Sequence, residues 1–148
     1  MGRFLCRFLR EEFIMVRECL EYLHKNYRCK LFSPIEGNVI DKFAEIKEYH
    51  NLLHISNGIV CNGVEILGAV PVVRVEKGYS LPDVVTMSER FGRYDFFRDK
   101  IVIGQAYESL IYYDMSKSVY GISSRINFDE QMVFDSLLQL LGFFFPVN

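Results

Sequence analysis

At 148 residues, half of them apolar, the chain is the size of one domain and long enough to bury about two-thirds of its unfolded surface without staples. Its net charge of -2 excludes the strongly basic surface typical of nucleic-acid binders, and its longest apolar run, Leu137 to Phe145, is far short of a membrane span. Aromatic residues are abundant, thirteen Phe and nine Tyr with no Trp.

The first segment predicts an amphipathic helix. Phe4, Leu5, Phe8, Leu9, Phe13, Val16, Leu20 and Leu23 recur at three and four residues, with Arg7, Glu11, Arg17, Glu18 and Glu21 opposite them. Arg3, Arg7 and Arg10 make a short basic stripe, but Glu11 and Glu12 follow at once, so it reads as a solvated face. These arginines also interrupt any signal-peptide core.

A second helix is expected to begin at Ser33-Pro34-Ile35-Glu36, a capping box with proline at the first helical position. Its apolar period runs through Val39, Ile40, Phe43, Ile46, Tyr49, Leu52 and Leu53 and stops at Asn57-Gly58, since glycine takes a left-handed conformation without steric cost. Beyond Gly58 the period becomes strand-like. Asn62-Gly63 between Ile59-Val60 and Val64 to Leu67 signals a tight hairpin, and Val70 to Val75 is a β-branched run that Pro71 marks as an edge. Ser80 to Asp83 starts a third helix with Val84, Val85, Met87 and Phe91 on its apolar side, and Arg93 to Asp99 is an aromatic, charged connection. Three strands follow at 100–103, 110–114 and 119–122, on loops short enough to make them antiparallel neighbours. A last helix is expected over Asp129 to Phe144, burying Met132, Val133, Leu137, Leu140 and Leu141.

The residues that carry chemistry elsewhere do not assemble here. His50 and His54 share a helix face, but Asn51 stands where a zincin has its glutamate, and no third ligand is in view. Cys6, Cys19, Cys29 and Cys61 contain no CxxC pair and read as free, small apolar thiols of a reducing compartment, which places the chain in the cytoplasm. Gly121-Ile122-Ser123-Ser124 lacks the closing glycine of a nucleophile elbow, and no phosphate-cradling glycine loop is present. The chain therefore reads as no enzyme, with no catalytic, cofactor-binding or metal residue.

Two stretches resemble a known family. "LLHISNGIVCNGVEILG" (52–68) and "IVIGQAYESLIYYDMSKSVYGI" (101–122) are similar to the SUKH superfamily, in which an Asn-Gly helix stop precedes a meander of an "IG", a "YYD" and a third strand. The similarity spans roughly residues 30 to 145, leaves residues 1–14 as an N-terminal helical extension of a single 1–148 domain, and departs from the family at Ala44-Glu45-Ile46-Lys47, where a Leu-Pro pair usually opens the helix. It implies an α+β fold, one mostly antiparallel sheet with helices on one side. It also implies a non-catalytic cytoplasmic immunity protein that binds and neutralises a cognate bacterial toxin domain, often a nuclease. A regulatory scaffold of the same superfamily is the alternative. Neither needs nucleic acid or membrane as a partner, and a homodimer stays open.

Partner-binding residues are expected where rigid aromatics supply area and carboxylates supply steering. Tyr107 with Glu108 forms one candidate cluster in the meander, and Asp95, Asp99 and Asp114 form another. Tyr112 is a further candidate. Because side chains alternate along a strand, Tyr112 and Tyr113 must face opposite sides of the sheet, one of them in the core.

Overall fold

The computed structural model describes residues 2–35, 38–74 and 79–146, and within them an α+β fold. Helix α1 (Gly2–Tyr27) places Val16, Leu20 and Leu23 in the core at helical spacing and stops at Arg28, whose φ of 56° is left-handed. The side chains of Arg3, Arg7 and Arg10, Glu36 of the expected capping box, and Val75 lie outside the described residues. No helix among the described residues is long and apolar enough to cross a membrane.

Strand β1 (Lys30–Leu31) follows, and after a single 3-10 turn at Asp41–Phe43 comes α2 (Lys47–Ile55). This corrects the expected helix start at Ser33. The chain through Ile40 and Phe43 buries its apolar side as turns, and the regular helix opens only at the Ala44 to Lys47 stretch. Strands β2 (Ile59–Cys61) and β3 (Val64–Ile66) close the Asn62-Gly63 hairpin, both turn residues having positive φ (46° and 85°). A separate two-stranded ribbon, β4 (Val72–Arg74) with β5 (Tyr79–Leu81), leads to α3 (Val84–Gly92), capped at its start by Asp83, whose carboxylate accepts the Thr86 N–H at 2.8 Å. A 3-10 turn at Asp95–Phe97 then feeds the meander β6 (Lys100–Ala106), β7 (Ser109–Asp114) and β8 (Val119–Ser124).

The chain ends differently from expectation. Glu130–Phe134 is a strand, β9, paired antiparallel with β8, and only Leu137–Phe144 is helical (α4), with Ser136 as its cap. Met132 and Val133, expected in a core, are exposed.

All seven strands of the main sheet are antiparallel, in the order β1-β2-β3-β6-β7-β8-β9. Where β3 meets β6 the approach is close: a Cβ on Gly104 would lie 2.5 Å from the Glu65 carbonyl oxygen, so the "IG" position needs glycine for space. Helices cover both faces of the sheet, not one. Tyr112 points toward Phe96, Phe97 and the α3 side, whereas Tyr113 and its cross-strand partner Tyr120 lie toward α2, which packs with α1 and α4. The aromatic segment that looked like a mere connection carries the second layer. Phe91, Phe97 and Phe128 interlock there, with ring centroids 5.1 to 6.2 Å apart.

The cysteines are also reassigned. Cys29 and Cys61 are disulfide-bonded, and the register Lys30↔Val60, Leu31↔Ile59 explains why: extended by one step, it sets the two cysteines opposite each other, Cα atoms 4.4 Å apart. Cys19 is the free, half-buried thiol among the described residues, and burial followed by the nearby Glu48 carboxylate pushes its pKa up, which makes it a poor nucleophile.

Candidate protein-binding cleft

An open cleft of about 330 Å³ lies where the start of α2 faces the far end of the meander, lined by Glu45, Lys47, Glu48, Tyr113, Ser118, Tyr120 and Asp135. Its floor is the cross-strand pair Tyr113–Tyr120, rings edge to face at 5.0 Å. Its walls are acidic. Glu45 and Glu48 come from the α2 entry and Asp135 from the residue after β9, with Lys47 as the one cation of the lining. Glu48 is already engaged, because its carboxylate accepts the N–H groups of Leu137 (3.2 Å) and Leu138 (3.3 Å) and so holds the positive end of α4. Glu45 and Asp135 thus remain to meet a ligand. Such an arrangement suits an arginine or lysine side chain, which takes the half-buried Tyr113 ring and the carboxylates together.

The six residues expected from sequence divide between surface and interior. Asp95 is exposed and paired with Arg98 at 2.6 Å, and Asp99 is half-exposed beside Lys100 at 3.2 Å. Asp114 is buried and cannot be a contact residue. It closes the β7–β8 turn by accepting from the Ser116 hydroxyl (2.7 Å) and the N–H groups of Ser116 and Lys117, with Lys100 at 3.8 Å. Burial alone would raise its carboxyl pKa, but these donors and the Lys100 ammonium together hold it below the ordinary value. Tyr112 is likewise internal, its hydroxyl donating to Glu130 at 2.6 Å. Tyr107 and Glu108 share an exposed hairpin tip at the other end of β6. There Tyr107 lies over Gly63 and donates to the Asn62 carbonyl at 3.0 Å, bracing two turns against each other.

Tyr113 and Tyr120, not Tyr112, are the tyrosines that line the cleft together with its carboxylates. Alternation along the strand separated Tyr112 from Tyr113, but which one faced inward depended on where α3 packs. Glu45 and Asp135 come from distant segments, and no local pattern joins them.

His50 and His54 stack edge to face at 4.6 Å on α2, and no group of three His, Cys, Asp or Glu suited to a metal occurs among the described residues. Burial first, and His54 second, lower the His50 pKa against a smaller opposing effect of Asp41. Comparison of the chain with protein-family models, with curated proteins and with solved structures finds no match.

Proposed function

We propose that the chain is a non-catalytic protein-binding domain, a cytoplasmic immunity protein that engages a basic surface of a cognate toxin and blocks it stoichiometrically. The observation that carries this reading is the acid-and-tyrosine cleft, a preformed site for a cationic side chain whose use needs no bond making. The SUKH-like order of the Asn57-Gly58 stop and the 101–122 meander supports the immunity class. Toxins that act on nucleic acid present basic clefts, and an acidic, aromatic opening is complementary to them in charge. The exposed Asp95 and Asp99 at one end of the meander and Glu108 with Tyr107 at the other extend the steering field.

The test is a binding titration against the product of the adjacent gene. Asp135→Lys with Glu45→Lys should slow association and cost about tenfold or more in affinity, the loss growing at low salt. Glu108→Lys and Asp95→Lys/Asp99→Lys should change mainly the association rate. Full affinity in the cleft variant removes the cleft from the interface. Failure of the wild type to neutralise the neighbour's toxicity removes the immunity reading and leaves a regulatory scaffold.

A further inference from the structure

The two edges of the main sheet are unequal. At one end β1 is two residues long and includes Lys30, a short and charged edge of the kind that discourages further pairing. At the other end β9 spends one row of backbone groups on β8, through Tyr120↔Phe134, Gly121↔Val133 and Ile122↔Met132, and turns the other row outward. Its sequence, Glu-Gln-Met-Val-Phe, has neither lysine nor proline. Met132 and Val133, on alternate faces of the strand, are 39% and 47% exposed, and Phe143 of α4, itself 51% exposed, stands 5.7 Å from the Phe134 ring. The one irregularity against β8 falls at Ile122/Ser123, so the run from Met132 to Phe134 is regular extended backbone.

Charge decides what this edge accepts. Asp129 and Glu130 precede the apolar run, Asp135 follows it, and no lysine or arginine occurs between Ile126 and Gln139. Two copies paired antiparallel about Met132 would set Asp129 against Asp135 twice, and any self-pairing gathers six carboxylates on one seam without a counter-charge. We propose that β9 is a docking edge for an extended strand of a partner protein, apolar in the middle and flanked by lysine or arginine. Main-chain hydrogen bonds supply the pairing, Met132, Val133 and Phe143 the apolar contact, and the flanking acids the orientation. The proposal stands on the strand and shares with the cleft only Asp135, which ends the one and lines the other.

The probes are three synthetic peptides: alternating Val-Thr with lysine at both ends, the same with glutamate at both ends, and the lysine peptide with alternate amides N-methylated. Fluorescence anisotropy should show the lysine peptide binding, the glutamate peptide weaker by about tenfold or more, and the methylated peptide not at all. Amide exchange at 130–134 should slow in the complex. Val133→Lys, at an exposed position, should abolish binding with the thermal midpoint unchanged, whereas Glu45→Lys in the cleft should leave the lysine peptide's binding intact. Binding that survives Val133→Lys or N-methylation overturns the proposal. So does a dimer of the free chain that Val133→Lys dissociates, which would make a second copy the occupant. A cognate partner lost on Glu45→Lys but not on Val133→Lys rejects the edge and leaves the cleft reading intact.

Discussion

The Asn57 carboxamide binds both backbone groups of Val70, accepting its N–H at 3.3 Å and donating to its carbonyl at 3.0 Å, and accepts the Ala69 N–H at 2.8 Å as well. A side chain here does the pairing that a strand would do. Asn57→Ala would leave those groups without partners in a buried place, at a cost of about 2 to 4 kcal/mol. Asn57→Asp keeps the acceptor but loses the donor and buries a charge, so it should be at least as damaging. Denaturant midpoints at constant slope check both.

Gly58, next to it, has a φ of +97°, and a Cβ there would fall 2.6 Å from the Ile66 carbonyl oxygen. Strain and clash add, so Gly58→Ala should cost about 2 kcal/mol and Gly58→Val more. A midpoint equal to wild type in either variant would contradict this geometry.

Alkaline stability should reflect the two buried phenols. Burial raises the pKa of Tyr49, whose hydroxyl donates to the Leu67 carbonyl at 2.5 Å, and burial with the Glu130 carboxylate raises that of Tyr112. The unfolded chain releases these protons near pH 10 while the folded chain keeps them, so stability is full below about pH 10 and falls as pH rises above it. Tyr112→Phe should lower stability at neutral pH by about 1 to 2 kcal/mol and flatten the alkaline slope. Melting curves across pH 8 to 11 read both effects.

Acid works in the opposite direction at Asp114. Its pKa is held down in the folded state, so its contribution is present above the unfolded value of about 4 and is lost as pH falls below it. Asp114→Asn should cost about 2 kcal/mol at neutral pH and reduce the acid sensitivity between about pH 4 and 2.

The disulfide spans 32 residues of sequence, and its reduction should lower stability by about 3 to 4 kcal/mol on the chain-entropy account. A cytoplasmic protein should be recovered with both thiols alkylatable, and this is the measurement that tests the compartment. Recovery of Cys29 and Cys61 fully bonded from alkylated cells would argue for an oxidising one.

What the sequence disclosed followed from how local each signal was. Asn62-Gly63 and Asp83 act within four residues of themselves: the hairpin stands where it was expected, and of the expected helix start Ser80 to Asp83 it is Asp83 that caps α3, while Ser80 and Leu81 belong to β5. Glu130 to Phe134 misled because an edge strand exposed on both sides carries no alternation, while Met132, Val133 and Leu137 mimic a helical stripe. Cys29 and Cys61 looked free because their pairing depends on a register between segments thirty residues apart. The acids of the cleft were invisible for the same reason, and Asp114 looked like a surface charge because nothing in its neighbours announced that Lys100 and Ser116 would enclose it.

Strand order also sets a timetable. β6, β7, β8 and β9 join neighbours in the chain through short turns, so their pairing closes small loops and is entropically cheap. The β3–β6 seam closes a loop containing the β4–β5 ribbon and α3, and β1 reaches β2 only past α2. Folding should therefore begin in the meander and reach the N-terminal strands last. Substitutions at the β7–β8 interface should slow folding, whereas those at the β3–β6 seam, such as Gly104→Ala, should chiefly speed unfolding.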